Sequence, residues 1–110
     1  MDPSPSPVRV ALSTAPDAET GARIARALVE ERLAACVNLV PAVRSIYRWQ
    51  GVVEDDTEVL LVIKTRAERV EALASRLRVL HPYELPELVA LPVVAGLAPY
   101  LEWVTGEVAA

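Results

Sequence analysis

Apolar positions recur along this 110-residue chain with two periods, and the switches between them set the order of its elements. Val8, Val10 and Leu12 alternate with Arg9, Ala11 and Ser13, which predicts a short strand broken by Thr14-Ala15-Pro16-Asp17. From Ala18 the spacing turns helical. Ile24 falls in line with Leu28, and Ala25, Val29 and Leu33 form the next row. Glu19, Arg23, Arg26, Glu30 and Glu31 take the wet side. Asp17 suits the N-cap, and Glu19 suits the positive end of the helix dipole. Gly21 inside the helix predicts close packing on a sheet.

The stretch from Ala34 to Thr65 organises the rest of the chain. Two strand-like runs meet at Gln50-Gly51, a dipeptide whose glycine supplies the positive φ of a tight turn. In the first run Val43, Ser45, Tyr47 and Trp49 point one way, and Arg44, Ile46 and Arg48 the other. The second, Glu58 to Lys64, is apolar without alternation, as a strand covered on both faces would be. Thr65-Arg66-Ala67-Glu68 then reads as a capping box with Thr65 as N-cap. The helix behind it buries Val70, Leu73, Leu77 and Leu80 and stops at His81-Pro82. Leu88 to Leu91, with Pro86 before and Pro92 after, predicts an edge strand, and Pro99 to Val104 a short last helix.

The order strand, helix, strand, strand, helix, strand predicts an α+β, ferredoxin-like βαββαβ sandwich with a long central hairpin and a short C-terminal helix. Residues 1–7 read as a disordered Pro/Ser lead, 8–105 as a single domain and 106–110 as a loose tail. Both helices on one sheet face leave the other face bare. A bare apolar face and a long hairpin with free edges predict self-association.

Composition narrows the function. A net charge of −4 argues against nucleic acid as the partner. No apolar run approaches the roughly 20 residues that span a bilayer, so no membrane partner is expected. The N-terminus lacks a basic start and an apolar stretch, and one cysteine excludes an internal disulfide. Together these predict a cytoplasmic protein.

LVEERLAACVNLVP, SIYRWQG, EVLLVIKT, HPYELPE and PYLEW, in this order and spacing, resemble the CutA family of divalent-cation tolerance proteins. The resemblance spans nearly all of Val8 to Val104. It implies a homotrimer of ferredoxin-like subunits whose long hairpins pair between subunits. It also implies a PII-like architecture without the PII nucleotide-binding loop, and a link to copper and other divalent ions. No obligatory cofactor is implied, and no enzyme activity.

Two groups of residues could carry chemistry. Cys36 offers a soft thiolate that favours copper or zinc over magnesium or calcium. The competing reading is a small core residue. His81 is the sole histidine, and with Glu84 and Glu87 it forms a loop of nitrogen and oxygen donors. The helix dipole alone would also explain a histidine there. One Cys and one His do not complete a tetrahedral site, so a metal bound here would be exchangeable or shared between chains. Trp49, Glu58, Lys64 and Tyr83 form the second group. Aromatic walls with one cation and one anion suit a subunit-interface pocket for a small anion or amphipathic ligand. Cys36 with His81, oriented by Asn38, is the one arrangement that could make a nucleophile and base, and no local catalytic motif supports it. The sequence therefore predicts a copper- or heavy-metal-binding trimer that responds to metal ions. The alternatives are a ligand-sensing trimer with a protein partner and a structural scaffold.

Overall fold

The computed structural model describes residues 6–110. The elements are β1 (Val8–Ala15), α1 (Ala18–Glu30), β2 (Cys36–Trp49), β3 (Val52–Arg66), α2 (Val70–Leu80), β4 (Val89–Pro92) and α3 (Ala98–Glu107). A single 3-10 turn, Ala67–Arg69, leads into α2. The four strands form one sheet in the order β2-β3-β1-β4, and every pairing is antiparallel. This is the ferredoxin-like arrangement that the order of elements predicts.

α1 and α2 pack on one face of the sheet. Ile24, Leu28, Leu73 and Leu77 bury there against Ala11, Val59, Leu61 and Ile63. Each large apolar side chain buried this fully stabilises the fold by about 1.5–3 kcal/mol. Asp17 caps α1, accepting a 2.7 Å hydrogen bond from Thr20 N. Gly21 sets how closely the helix approaches. A Cβ at this position would sit 3.3 Å from Leu39 Cδ2 and 3.4 Å from Leu61 Cδ2.

The opposite face is not wholly bare. α3 covers one end of it, where Val104 and Val108 bury with Val8 and Ala35. The chain beyond Gly106, expected to be loose, is held there: Val108 is buried and Ala109 N donates to Arg32 O. Arg32 stands at φ 59° and its guanidinium donates to the carbonyls of Gly106 and Glu107. Of the expected disordered lead, residues 1–5 lie outside the described residues. Ser6 and Pro7 are bonded, to Val93 O and from Ala67 N.

β3 alternates, contrary to the expectation of a strand covered on both faces. Val59, Leu61, Ile63 and Thr65 are buried under the helices, while Leu60, Val62 and Lys64 on the other face are only partly covered. The capping box is absent for a related reason. β3 continues to Arg66, so Thr65 is a buried strand residue whose hydroxyl donates to Leu33 O at 2.8 Å. Glu68 pairs with Arg66 instead.

Gln50 and Gly51 both adopt positive φ, 49° and 82°, the two-residue turn whose twist matches the strands it joins. Register slips once along this hairpin. Val40 faces Leu60 and Val43 faces Glu58, leaving Pro41-Ala42 opposite Val59 alone. One extra residue on β2 is a bulge, and Pro41 tolerates it because this edge strand can spare a donor. The bulge changes parity. Before it, Cys36, Asn38 and Val40 share a face with Leu60, Val62 and Lys64. After it, Val43, Ser45, Tyr47 and Trp49 hold that face with Glu58. The hairpin tip stands in solvent, with Ile46 64% and Val53 58% exposed.

Candidate functional site

The loop between α2 and β4 determines where the candidate residues lie. His81 ends α2 with extended backbone, as a residue before proline should. Its ring is buried and fully engaged. Nε2 donates to Thr14 O at 2.7 Å, and Nδ1 accepts from Tyr83 N at 3.1 Å, a tautomer assigned from these partners. Ser13 Oγ donates to Glu87 O at 2.7 Å, fixing the other end of the loop to β1. Tyr83 Oη reaches across and donates to Glu58 Oε2 at 2.7 Å. Both ring nitrogens of His81 are therefore occupied in holding the loop, which removes it from the expected ligand set.

The loop closes one side of a cleft of about 930 Å³, and the hairpin forms the other. Trp49, Tyr47, Ser45, Ile46 and Arg44 contribute from β2, and Glu58 and Thr14 from the sheet. Tyr83, Glu84, Pro86, Glu87, Leu88 and their neighbours contribute from the loop. The Pro41 bulge turns Trp49 and Tyr47 to the face that carries Glu58.

Glu58 is 7% exposed, although it lies in a strand whose tip stands in solvent. Burial, followed by the bond to Glu58, pushes the Tyr83 hydroxyl well above its ordinary range. Tyr47 is pushed up to about 12, chiefly by its 2.6 Å hydrogen bond to Asp56. Glu87 is an exposed residue, yet its carboxyl sits partly desolvated against the cleft. That desolvation raises its pKa, and the nearby charge of Glu58 adds to the effect. Arg44 forms a two-bond ion pair with Asp55, at 2.8 and 2.6 Å, which holds the Asp55 carboxyl below its usual range.

Of the expected pocket residues, Trp49, Glu58 and Tyr83 meet in this cleft and Lys64 does not. Six residues further along β3, roughly 20 Å away by strand rise, Lys64 bonds the side-chain oxygen of Asn38. Cys36 lies opposite Lys64 on β2, half-buried, with Sγ 3.9 Å from Asn38 Oδ1. The expected metal set is thus divided. Cys36 aligns through Lys64 with Val10, whereas His81 binds Thr14, four residues up β1. Among the described residues, no group of three or more His, Cys, Asp or Glu is placed to hold a metal ion. Glu84 and Glu87 line the cleft with Glu58 instead. Sequence reasoning assigned these two glutamates to a metal. Their association with Trp49 follows from the bulge and the loop anchors, which local spacing does not reveal.

The CutA1 divalent ion tolerance protein family matches residues 9–107. "Protein CutA" of Homo sapiens is 52% identical over 100 residues, covering 91% of this chain and 56% of its own length. The chain therefore spans little more than half of that relative. The divalent-cation tolerance protein CutA of Thermus thermophilus is 54% identical over 94 residues, covering 86% of this chain and 91% of its own. The solved structure of the Thermus thermophilus protein superposes with a TM-score of 0.90 at 50% identity, over 93% of this chain and 99% of that one.

Proposed function

The chain belongs to the CutA1 family of divalent ion tolerance proteins, and from that premise we propose that it serves cation tolerance as a cytoplasmic homotrimer that senses a small ligand. It acts by binding, in the manner of the PII proteins, and passes its state to a protein partner. The observation that carries this reading is the cleft. It is of ligand size, walled by Trp49 and Tyr83, and built around a buried carboxylate. Assembly is supported by the partly covered face of β3 and by the exposed apolar residues of the hairpin tip. Closed pairing of these hairpins around a threefold axis would cover both without open-ended association.

A thermal-shift panel of small cations, anions and neutral compounds tests the reading. At least one compound should stabilise the protein, and its effect should vanish in Trp49→Ala. A panel without such a compound would sink the ligand-sensing reading.

Cys36 supports a second reading, copper binding. Its thiol is a soft donor on the face left for assembly, 3.9 Å from an amide oxygen. The remaining donors would come from a neighbouring subunit. Equilibrium dialysis of the reduced protein should then show copper uptake falling in Cys36→Ser. Equal uptake by the variant removes Cys36 from any metal site.

A further inference from the structure

The sequence predicts a subunit-interface pocket with one cation, Lys64, beside one anion, Glu58, whereas within one chain the two lie apart. Lys64 is bonded to Asn38 at the other end of the strand, and Glu84 and Glu87 join Glu58 on the cleft. Among the described lining residues Arg44 is the one cationic side chain, and Asp55 holds it by both carboxylate oxygens. Within one chain, and among its described residues, the cleft therefore carries three carboxylates and no unpaired cation.

Glu58 is the most constrained of the three. Its residue is more than nine-tenths buried, it lines the cleft, and its one hydrogen bond among the described residues comes from the neutral Tyr83 hydroxyl. A desolvated carboxylate without a cationic partner is costly, and a cation entering the cleft would relieve that cost. Among the described residues these carboxylates form no group placed to hold a bare metal ion. The walls also favour an organic ligand. Trp49 and Tyr83 offer aromatic surface, which attracts cations as well as apolar groups, and Leu88 adds aliphatic surface.

We propose that the cleft binds a small organic cation, a protonated amine bearing an apolar group, with Glu58 as its counter-ion and Trp49 in its wall. The proposal rests on the ligand-sensing reading and goes further by naming the class of ligand.

The test uses the full chain in its assembled state with Trp103→Phe, so that Trp49 is the sole indole. Trp103 does not line the cleft and is half-exposed on α3 against Tyr100, where phenylalanine keeps an aromatic ring. Trp49 fluorescence is followed during titration with 2-phenylethylamine, 2-phenylethanol and phenylacetate, which share a ring and differ in charge. The amine should give a saturable change, the alcohol should bind roughly tenfold or more weakly, and phenylacetate should give none. Glu58→Gln should weaken the amine by a similar factor, and Lys64→Ala should leave it unchanged. If Glu58→Gln fails to assemble, Glu84→Gln and Glu87→Gln carry the same test, each weakening the amine severalfold. Equal binding of the alcohol or phenylacetate, indifferent to the carboxamide variants, overturns the cation assignment and leaves the ligand-sensing reading standing. No saturable response to any of the three compounds, as when a neighbouring subunit's own cationic side chain fills the cleft, overturns the proposal. Silence across the wider panel as well overturns the reading beneath it.

Discussion

Replacing His81 by alanine separates two roles for the sole histidine: a fastener of the cleft loop and a metal ligand. In the structure the ring makes two hydrogen bonds, 2.7 Å to Thr14 O and 3.1 Å from Tyr83 N. Each neutral bond contributes about 1 kcal/mol net, so their loss costs about 2 kcal/mol. The ring is buried, with its centroid 4.6 Å from that of Tyr83, and emptying that volume adds about 1 kcal/mol or more. The expected destabilisation is about 3 kcal/mol. Urea unfolding at one fixed protein concentration should show it as a fall in midpoint of more than about 1 M. Copper uptake, measured in parallel under native conditions, should match the unsubstituted protein. A variant that unfolds at the original midpoint yet loses its copper would refute the assignment of His81 as a fastener.

Three further substitutions and one deletion probe other parts of the structure. Thr65→Ser should destabilise by about 1 kcal/mol, because a buried strand loses a methyl group, whereas serine at an N-cap would be neutral. Gly51→Val should cost about 1–2 kcal/mol in thermal unfolding from the positive φ alone, since no described residue lies within 4 Å of an added Cβ. Glu87 favours its protonated form in the folded state, so its contribution is present below the ordinary value of 4.5 and is lost as pH rises through the raised one. Glu87→Gln should therefore gain stability relative to the parent as pH rises from 4 towards 7, and a flat difference across that range would contradict the cause given. Deleting Pro41 should remove the bulge and set Ala42 opposite Val59, leaving Val43 opposite Glu58 and Trp49 on the cleft face, so Trp49 fluorescence should stay as in the parent; a shift to a more polar environment would contradict the register.

The elements were legible because they depend on local periodicity. Alternation at Val8–Leu12, helical spacing at Ile24–Leu28 and Leu73–Leu77, the Gln50-Gly51 turn and the Asp17 cap each depend on neighbours within a few residues. Legibility failed where a distant partner outweighed a local pattern. Thr65 satisfies a capping-box spacing, but the buried carbonyl of Leu33, 32 residues earlier, takes its hydroxyl. Glu58 and Lys64 share a strand face, yet the loop anchored by Ser13 and His81 reaches only Glu58. The Pro41 bulge left a mark in the sequence, a proline inside a strand-like run. Its consequence, which side chains share the cleft, follows only from the register.

Native mass spectrometry of the reduced protein, titrated with copper, distinguishes a ligand-sensing trimer with no complete metal centre, within a subunit or between subunits, from a trimer that holds metal. A trimer that accumulates scattered, non-saturating copper adducts is expected. A monomer, or a trimer filled at low excess to one tightly held ion per chain, would contradict it.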